Sequence, residues 1–343
     1  MNRYHLATRT AALTLALSAC AGEIAPPETR GAASTVSPDL PFGASAGLPP
    51  GAAGSGAAAT TSAAGAKGRL NLAGSPQYFR VIALTKNQWR NSVRDILGLT
   101  TPPASAQAFQ DAVSGTTDFT NNELVLDVDS RSWSDYQAAA EEVAHMVTAD
   151  DAILGELYAG TDGSGFIASV GRRLFRRPLT AAEVSRLQPL FDMGAAEGGF
   201  ASGAEMVLAA MLQAPQFLYR SELGQPGTAL TGYEIAAKLS LWLRDTSPDK
   251  ALLDAAESGE LDTAQGVSAA ASEMLEDPVA IGVMRQFHGQ LLHLGRFAEL
   301  SKVGVAAYDP AINSELMEAA YLFFDKVFSA NRGLSDVFLS TSG

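Results

Sequence analysis

Cysteine is almost absent: Cys20 is the only one in 343 residues. That scarcity excludes a disulfide framework and any multi-cysteine zinc centre. A Cys-x-x-Cys-His motif is missing, so c-type haem cannot be attached to this chain, and no cofactor is expected. Basic side chains are also in deficit, with 24 Lys and Arg against 37 Asp and Glu and a net charge of -13. Such a field repels phosphate, which argues against nucleic acid as a partner. No run approaches the roughly twenty apolar residues of a spanning helix. A Gly-x-Ser-x-Gly elbow, a phosphate-binding glycine loop and a dinucleotide fingerprint are all lacking. No repeat period of about 20 to 50 residues is visible.

What is present begins with an export signal. Arg3 and Arg9 precede a short apolar stretch, Ala11 to Ala19, that ends in Leu17-Ser18-Ala19-Cys20. A basic start, a short apolar core and small residues before the cut are what secretion requires. The position of the cysteine after Leu-Ser-Ala predicts residues 1–19 as a lipoprotein signal peptide and Cys20 as the site of lipid attachment. Ala21, in place of an acidic residue after the cysteine, points to the outer membrane. One acyl chain holds a protein only marginally, whereas two or more hold it firmly. The chain is therefore expected to be extracytoplasmic, anchored to the bacterial envelope through Cys20. Acylation would also consume the one thiol, removing thiolate catalysis.

Residues 20–76 are Ala, Gly, Ser, Thr and Pro with scattered charges, as in Pro49-Pro50-Gly51. Lacking large apolar groups to offset ordering entropy, they read as a disordered tether. Its root-mean-square span would be roughly 40 Å, enough to hold a domain clear of a membrane. From Tyr78 onward the signals are helical. Thr85 with Gln88, Thr180 with Glu183 and Thr231 with Glu234 have capping-box spacing. Ser247-Pro248, Asp277-Pro278 and Asp309-Pro310 each set a capping side chain before a proline suited to the first helical position. Trp89, Val93, Ile96 and Leu97 share a helical face, and Trp133, Tyr136, Ala140, Val143 and Val147 step by three and four. Pro215 should interrupt a helix running from about Ala204 to Ser221. The predicted fold is all-α, a helical array or bundle of about ten helices after the tether, with short strands around Phe79 to Leu84 as an open addition.

Three stretches carry a family resemblance. Leu84-Thr85-Lys86-Asn87-Gln88-Trp89 through Gly98 resembles the opening module of planctomycete-type multi-domain proteins catalogued as domains of unknown function 1587, 1595 and 1592. Arg172-Arg173-Leu174-Phe175-Arg176-Arg177-Pro178-Leu179-Thr180, with Gln213-Ala214-Pro215-Gln216-Phe217-Leu218-Tyr219-Arg220, is similar to the second module. Leu239-Ser240-Leu241-Trp242-Leu243 and Ser247-Pro248-Asp249 are similar to the third. The expected modules are residues 77–160, 161–226 and 227–343. Ser342-Gly343 falls inside the third, which is therefore expected to be incomplete. The resemblance implies a helical extracytoplasmic protein and implies no reaction.

Candidate ligand-binding residues are few. Arg172, Arg173, Arg176 and Arg177, spaced i,i+4 on about one helical turn, could grip a carboxylate, sulfate or phosphate, or simply pair with the chain's own acids. Trp242 could stack on a sugar beside Asp245 and Asp249, or belong to the core while the aspartates cap a helix. His288 and His293 lie five apart, about 140° round a helix, and His145 stands alone, so no metal is expected. Asp118, Asn121, Asn122, Glu123, Asp127 and Asp129 form an oxygen-rich stretch without the order of a calcium loop. Catalytic residues cannot be picked from these patterns.

Three functions stay open. The leading one is a non-catalytic lipoprotein that docks a partner protein or scaffold of the cell envelope. The alternatives are an envelope hydrolase or carbohydrate-binding protein acting on a polysaccharide, and an accessory subunit of an extracytoplasmic redox complex.

Overall fold

The computed structural model describes residues 80–109, 119–122, 126, 128–224, 230–302, 308–330 and 332–339. The signal peptide, Cys20 and the tether lie outside the described residues. Among the described residues the fold is all-α apart from one two-stranded ribbon. In chain order it comprises β1 (Arg80–Ala83), α1 (Lys86–Leu97), α2 (Ser130–Thr148), α3 (Asp151–Leu157), α4 (Gly163–Leu174), α5 (Ala181–Gln213), α6 (Pro215–Leu218) and β2 (Tyr219–Glu222). There follow α7 (Gly232–Leu243), α8 (Lys250–Glu257), α9 (Ala264–Glu276), α10 (Pro278–Leu291), α11 (Ile312–Ser329) and α12 (Leu334–Leu339). Among the described residues, no helix is long and apolar enough to cross a membrane.

Helix starts follow the capping chemistry of the sequence. Thr85, Thr180 and Thr231 each accept from the backbone N–H three residues on, and Gln88, Glu183 and Glu234 each accept in return from the cap's own N–H. Asp277 caps α10 with Pro278 at its first position. Two proline signals resolve differently. Asp249, not Ser247, caps α8, because Ser247 is buried and bonded elsewhere. Asp309 accepts from the Ala311 N–H at 2.9 Å and closes a turn ahead of α11 rather than capping it directly.

Pro215 ends the long helix, as its missing donor requires. The chain beyond it does not stay helical to Ser221: after one turn, α6, it becomes β2. β1 and β2 pair antiparallel, Val81 opposite Ser221 and Ala83 opposite Tyr219. The long helix α5 is itself broken at Gly198 and Gly199, where Gly199 has φ 74° and ψ -164°, a region open essentially to glycine alone.

The main core lies among α1, α2, α4, α5 and α6, with Trp89, Phe166 and Phe217 fully buried. Removing each such ring from water is worth about 1.5 to 3 kcal/mol. Trp89, Val93, Ile96 and Leu97 all face it, as does the α2 stripe through Tyr136, Ala140, Val143 and Val147. A second, smaller core joins α7, α8 and α9 through Ala236, Leu252, Leu261 and Met274. Further on, burial thins: α10 buries only Ala280.

Candidate functional site

Helix α1 carries its polar residues Gln88, Asn91 and Ser92 beside its apolar stripe, and they grip the turn that follows α7. The Gln88 Nε2 donates to the Leu241 carbonyl at 3.1 Å, and the Ser247 N–H donates to the Ser92 Oγ at 2.9 Å. Asn91 Nδ2 donates both to the Asp245 carbonyl at 3.0 Å and to its Oδ2 at 3.2 Å. Asp245 itself has φ 54°, a left-handed conformation that aspartate tolerates better than most residues. Of these three α1 side chains the sequence singled out Gln88 alone, as the partner of Thr85 in a capping box, and gave no role to Asn91 and Ser92. Their signal was a polar strip flanking a fully apolar helical face.

That turn forms one wall of a cavity of about 340 Å³, at the small end of the range for small-ligand pockets, about 300 to 1,000 Å³. Trp242, 49% exposed, stands at it together with Asp245. Phe119 and Phe287, whose rings stack at 5.7 Å, also line it. Gln290 ties these two segments together by accepting from the Thr120 N–H at 3.1 Å and donating to its hydroxyl at 3.2 Å. Burial pushes the Asp245 carboxyl up to about 6, although hydrogen bonds from Gln88 and Asn91 pull the other way. Among the described lining residues Asp245 carries the only formal charge. Glycoside cleavage needs two carboxylates flanking one bond, and these lining residues supply one.

Asp249, grouped with Trp242 and Asp245 by sequence, is instead the α8 cap, accepting from Leu252 N–H at 2.8 Å and pairing with Arg244 at 3.0 Å. Trp242 has cationic neighbours, with the Lys238 Nζ 4.7 Å and the Arg220 guanidinium 5.8 Å from its ring. Both cations belong to a cluster around the buried Glu222, with Lys238 at 2.9 Å and Arg220 at 3.2 Å.

The four arginines do not share one helical turn, because α4 ends at Leu174 and Arg176 adopts φ 60°. Arg172 pairs with Asp254 at 3.0 Å and Glu257 at 2.7 Å. Arg173 donates to the Ile96 carbonyl. Arg176 is buried and donates to the carbonyls of Gln216, Phe217 and Tyr219 at 2.8, 3.1 and 2.6 Å. Burial lowers its pKa to about 10. Arg177 forks onto both oxygens of Glu183 at 2.9 and 2.8 Å. Arg176 and Arg177 border a different, larger cavity of about 600 Å³, along the ribbon face that carries Val81, Tyr219 and Ser221. The structure thus separates the arginines from Trp242 and Asp245.

The histidines stand apart. His288 Nδ1 lies 2.8 Å from the Met284 carbonyl and its ring stacks on Phe324 at 4.5 Å, while His145 faces Glu205 at 3.7 Å. His293 has φ 54° at the entry to the 3₁₀ turn Leu294–Glu299. Among the described residues, no group of three His, Cys, Asp or Glu is placed to hold a metal. Of the oxygen-rich stretch, Asp129 caps α2, accepting from Ser132 N–H at 2.7 Å, whereas Asp118, Glu123 and Asp127 lie outside the described residues.

Three family models match the chain in succession. They are PSD3, protein of unknown function (DUF1587), over residues 83–149; PSD5, protein of unknown function (DUF1595), over 164–222; and PSD4, protein of unknown function (DUF1592), over 230–342. No curated protein and no solved structure matches it.

Proposed function

We propose that this chain, which belongs to the proteins of unknown function built from DUF1587, DUF1595 and DUF1592 modules, is a lipid-anchored, non-catalytic docking protein of the bacterial cell envelope. The observation that carries the reading is the apolar surface of its last helices. Leu275, Val279, Phe297, Ile312, Leu316 and Leu322 are all large and all at least 37% exposed. Contiguous exposed apolar surface marks interaction sites. Ile312 and Leu316 are four apart, so they lie one above the other on α11, as a helix-in-groove or helix-on-helix partner needs. The net charge of -13 favours a partner with a basic rim around an apolar centre.

The chemistry of the candidate residues leans the same way. Arg172 and Arg177 are engaged by acids, Arg173 and Arg176 by backbone carbonyls, and Asp249 by a helix end. Anchoring at Cys20 and export to the outer membrane rest on the signal at residues 1–20. The test is quantitative cross-linking and co-purification from the native envelope, comparing the natural chain with the double variant Ile312→Glu, Leu316→Glu. A partner held at near one-to-one by the natural chain and lost from a folded variant is expected. Absence of any such partner, or its equal retention by the variant, would overturn the docking reading.

A further inference from the structure

We infer that the cleft lined by Trp242, Asp245 and the stacked Phe119–Phe287 pair is a binding site for an organic ammonium cation with an apolar body. This inference stands apart from the docking reading, since none of the six exposed residues on which docking rests lines the cleft, and either can fail alone.

The cleft brings an acceptor and an apolar wall together, and among its described lining residues there is no cation. Among the described residues, the Asp245 carboxylate receives hydrogen bonds from neutral amides of α1 alone, Asn91 at 3.2 Å to Oδ2 and Gln88 beside it. Its chain neighbour Arg244 is turned away, paired with Asp249 and Asp277, each at 3.0 Å. From α10 the cleft receives Gln286, Phe287 and Gln290; Arg285 on that helix is engaged with Glu318 and Asp325. Lys238 and Arg220 are tied to Glu222 and do not line the cleft. The sequence around the Phe119 wall, residues 96–130, contains no Lys, Arg or His.

A partly buried carboxylate with no cationic partner is an unfavourable arrangement, and desolvation of Asp245 records it. An arriving ammonium ion removes that penalty, and it gains further from aromatic faces, which attract cations by their quadrupole. Phe287 is 43% exposed and its ring is open to such a ligand, whereas Trp242, 49% exposed, already has Lys238 and Arg220 near its ring and offers its remaining edge as apolar wall. A neutral sugar would use the same rings but would leave the carboxylate uncompensated. The volume, about 340 Å³, admits a small amine or the end of a lysine side chain.

Isothermal titration of the full-length chain carrying Cys20→Ser tests the inference, with butylammonium as probe and butan-1-ol as its uncharged counterpart. At pH 7.5 butylammonium is expected to bind saturably and butan-1-ol at least about tenfold more weakly. Asp245→Asn should weaken butylammonium binding by about tenfold or more. Asparagine tolerates the left-handed backbone, so this variant should fold. Trp242→Ala and Phe287→Ala should weaken it as well. Lowering the pH to 5 should cost about tenfold in the natural chain, since Asp245 is then mostly protonated, and nothing in Asp245→Asn. A parallel titration with the tripeptide amide acetyl-Gly-Lys-Gly, against its acetyl-lysine form, distinguishes a partner's lysine from a free amine as the source. Equal binding of butan-1-ol, an unaffected Asp245→Asn, or no saturable binding of butylammonium would each overturn the proposal.

Discussion

Arg176 reaches the backbone of Tyr219 across forty-three positions of sequence, its guanidinium 2.6 Å from that carbonyl. The same fork meets Gln216 and Phe217, so one buried cation satisfies the carbonyls that α6 and the start of β2 turn inward. With α4 already ended and φ at 60°, Arg176 is aimed into this nest rather than outward at a ligand. A residue that looks in sequence like an anion binder is a structural clamp.

Arg176→Met should therefore destabilise the protein by at least about 3 kcal/mol, because it strands several buried carbonyls that now accept charge-assisted bonds. Arg176→Lys keeps the charge but not the fork and should lose about 2 kcal/mol. Denaturant midpoints at constant slope measure both, and unchanged midpoints would contradict the clamp.

Asp245 makes a pH-dependent contribution of the opposite sign to most acids. Burial raises its pKa to about 6 in the folded chain, against about 3.9 when unfolded, so the fold holds the proton more tightly. Its stabilising contribution is fully present below about pH 4 and is lost as pH rises through about 6. Asp245→Asn should accordingly raise stability at pH 8 by about 2 kcal/mol and remove this part of the pH dependence. Parallel denaturation curves of parent and variant between pH 5 and 8, rather than converging ones, would refute it.

The Thr180–Glu183 box opens α5 and doubles as the seat of Arg177. Burial disfavours the Glu183 charge, yet Arg177 and Thr180 together hold its pKa down to about 2. This contribution is present above the usual glutamate range and lost as pH falls through about 2, the reverse of Asp245. Thr180→Ala should cost about 1 kcal/mol at pH 7. Glu183→Gln should lower stability at pH 7 and converge with the parent near pH 2.

Gly199 sits where the two halves of α5 meet, at φ 74° and ψ -164°. Alanine there has open space around its methyl but a forbidden backbone, so the cost is conformational. Gly199→Ala should destabilise by about 1 to 3 kcal/mol. The neighbouring exposed Ala196→Gly, a simple helix substitution, should cost no more than about 1 kcal/mol and serves as the control.

Cys20→Ser tests the proposed anchor. The variant should leave the membrane fraction and appear in the soluble extracytoplasmic one. Continued sedimentation with membranes, at the level of the parent, would contradict lipid attachment at that residue.

The sequence by itself determined the helical class and most of its punctuation. Capping boxes are local chemistry, closed within four residues, so Thr85, Thr180 and Thr231 could be read without knowing what packs above them. The same holds for the apolar stripe of Trp89, Val93, Ile96 and Leu97, whose period is set by the helix alone. The break at Pro215 was legible for the same reason, since it follows from a missing donor.

Only the tertiary structure decided what the polar residues do. Ser247 looked like a cap, but it is drawn to Ser92, 155 positions away, and the capping passes to Asp249. The partition of Arg176 from Trp242, the pairing of β1 with β2, and the meeting of Asp245 with Asn91 likewise join distant segments. A side chain's partner there is chosen by packing and desolvation summed over the whole fold. Local spacing carries no record of that sum, so the cleft at Trp242 and Asp245 became visible only once the helices were in place.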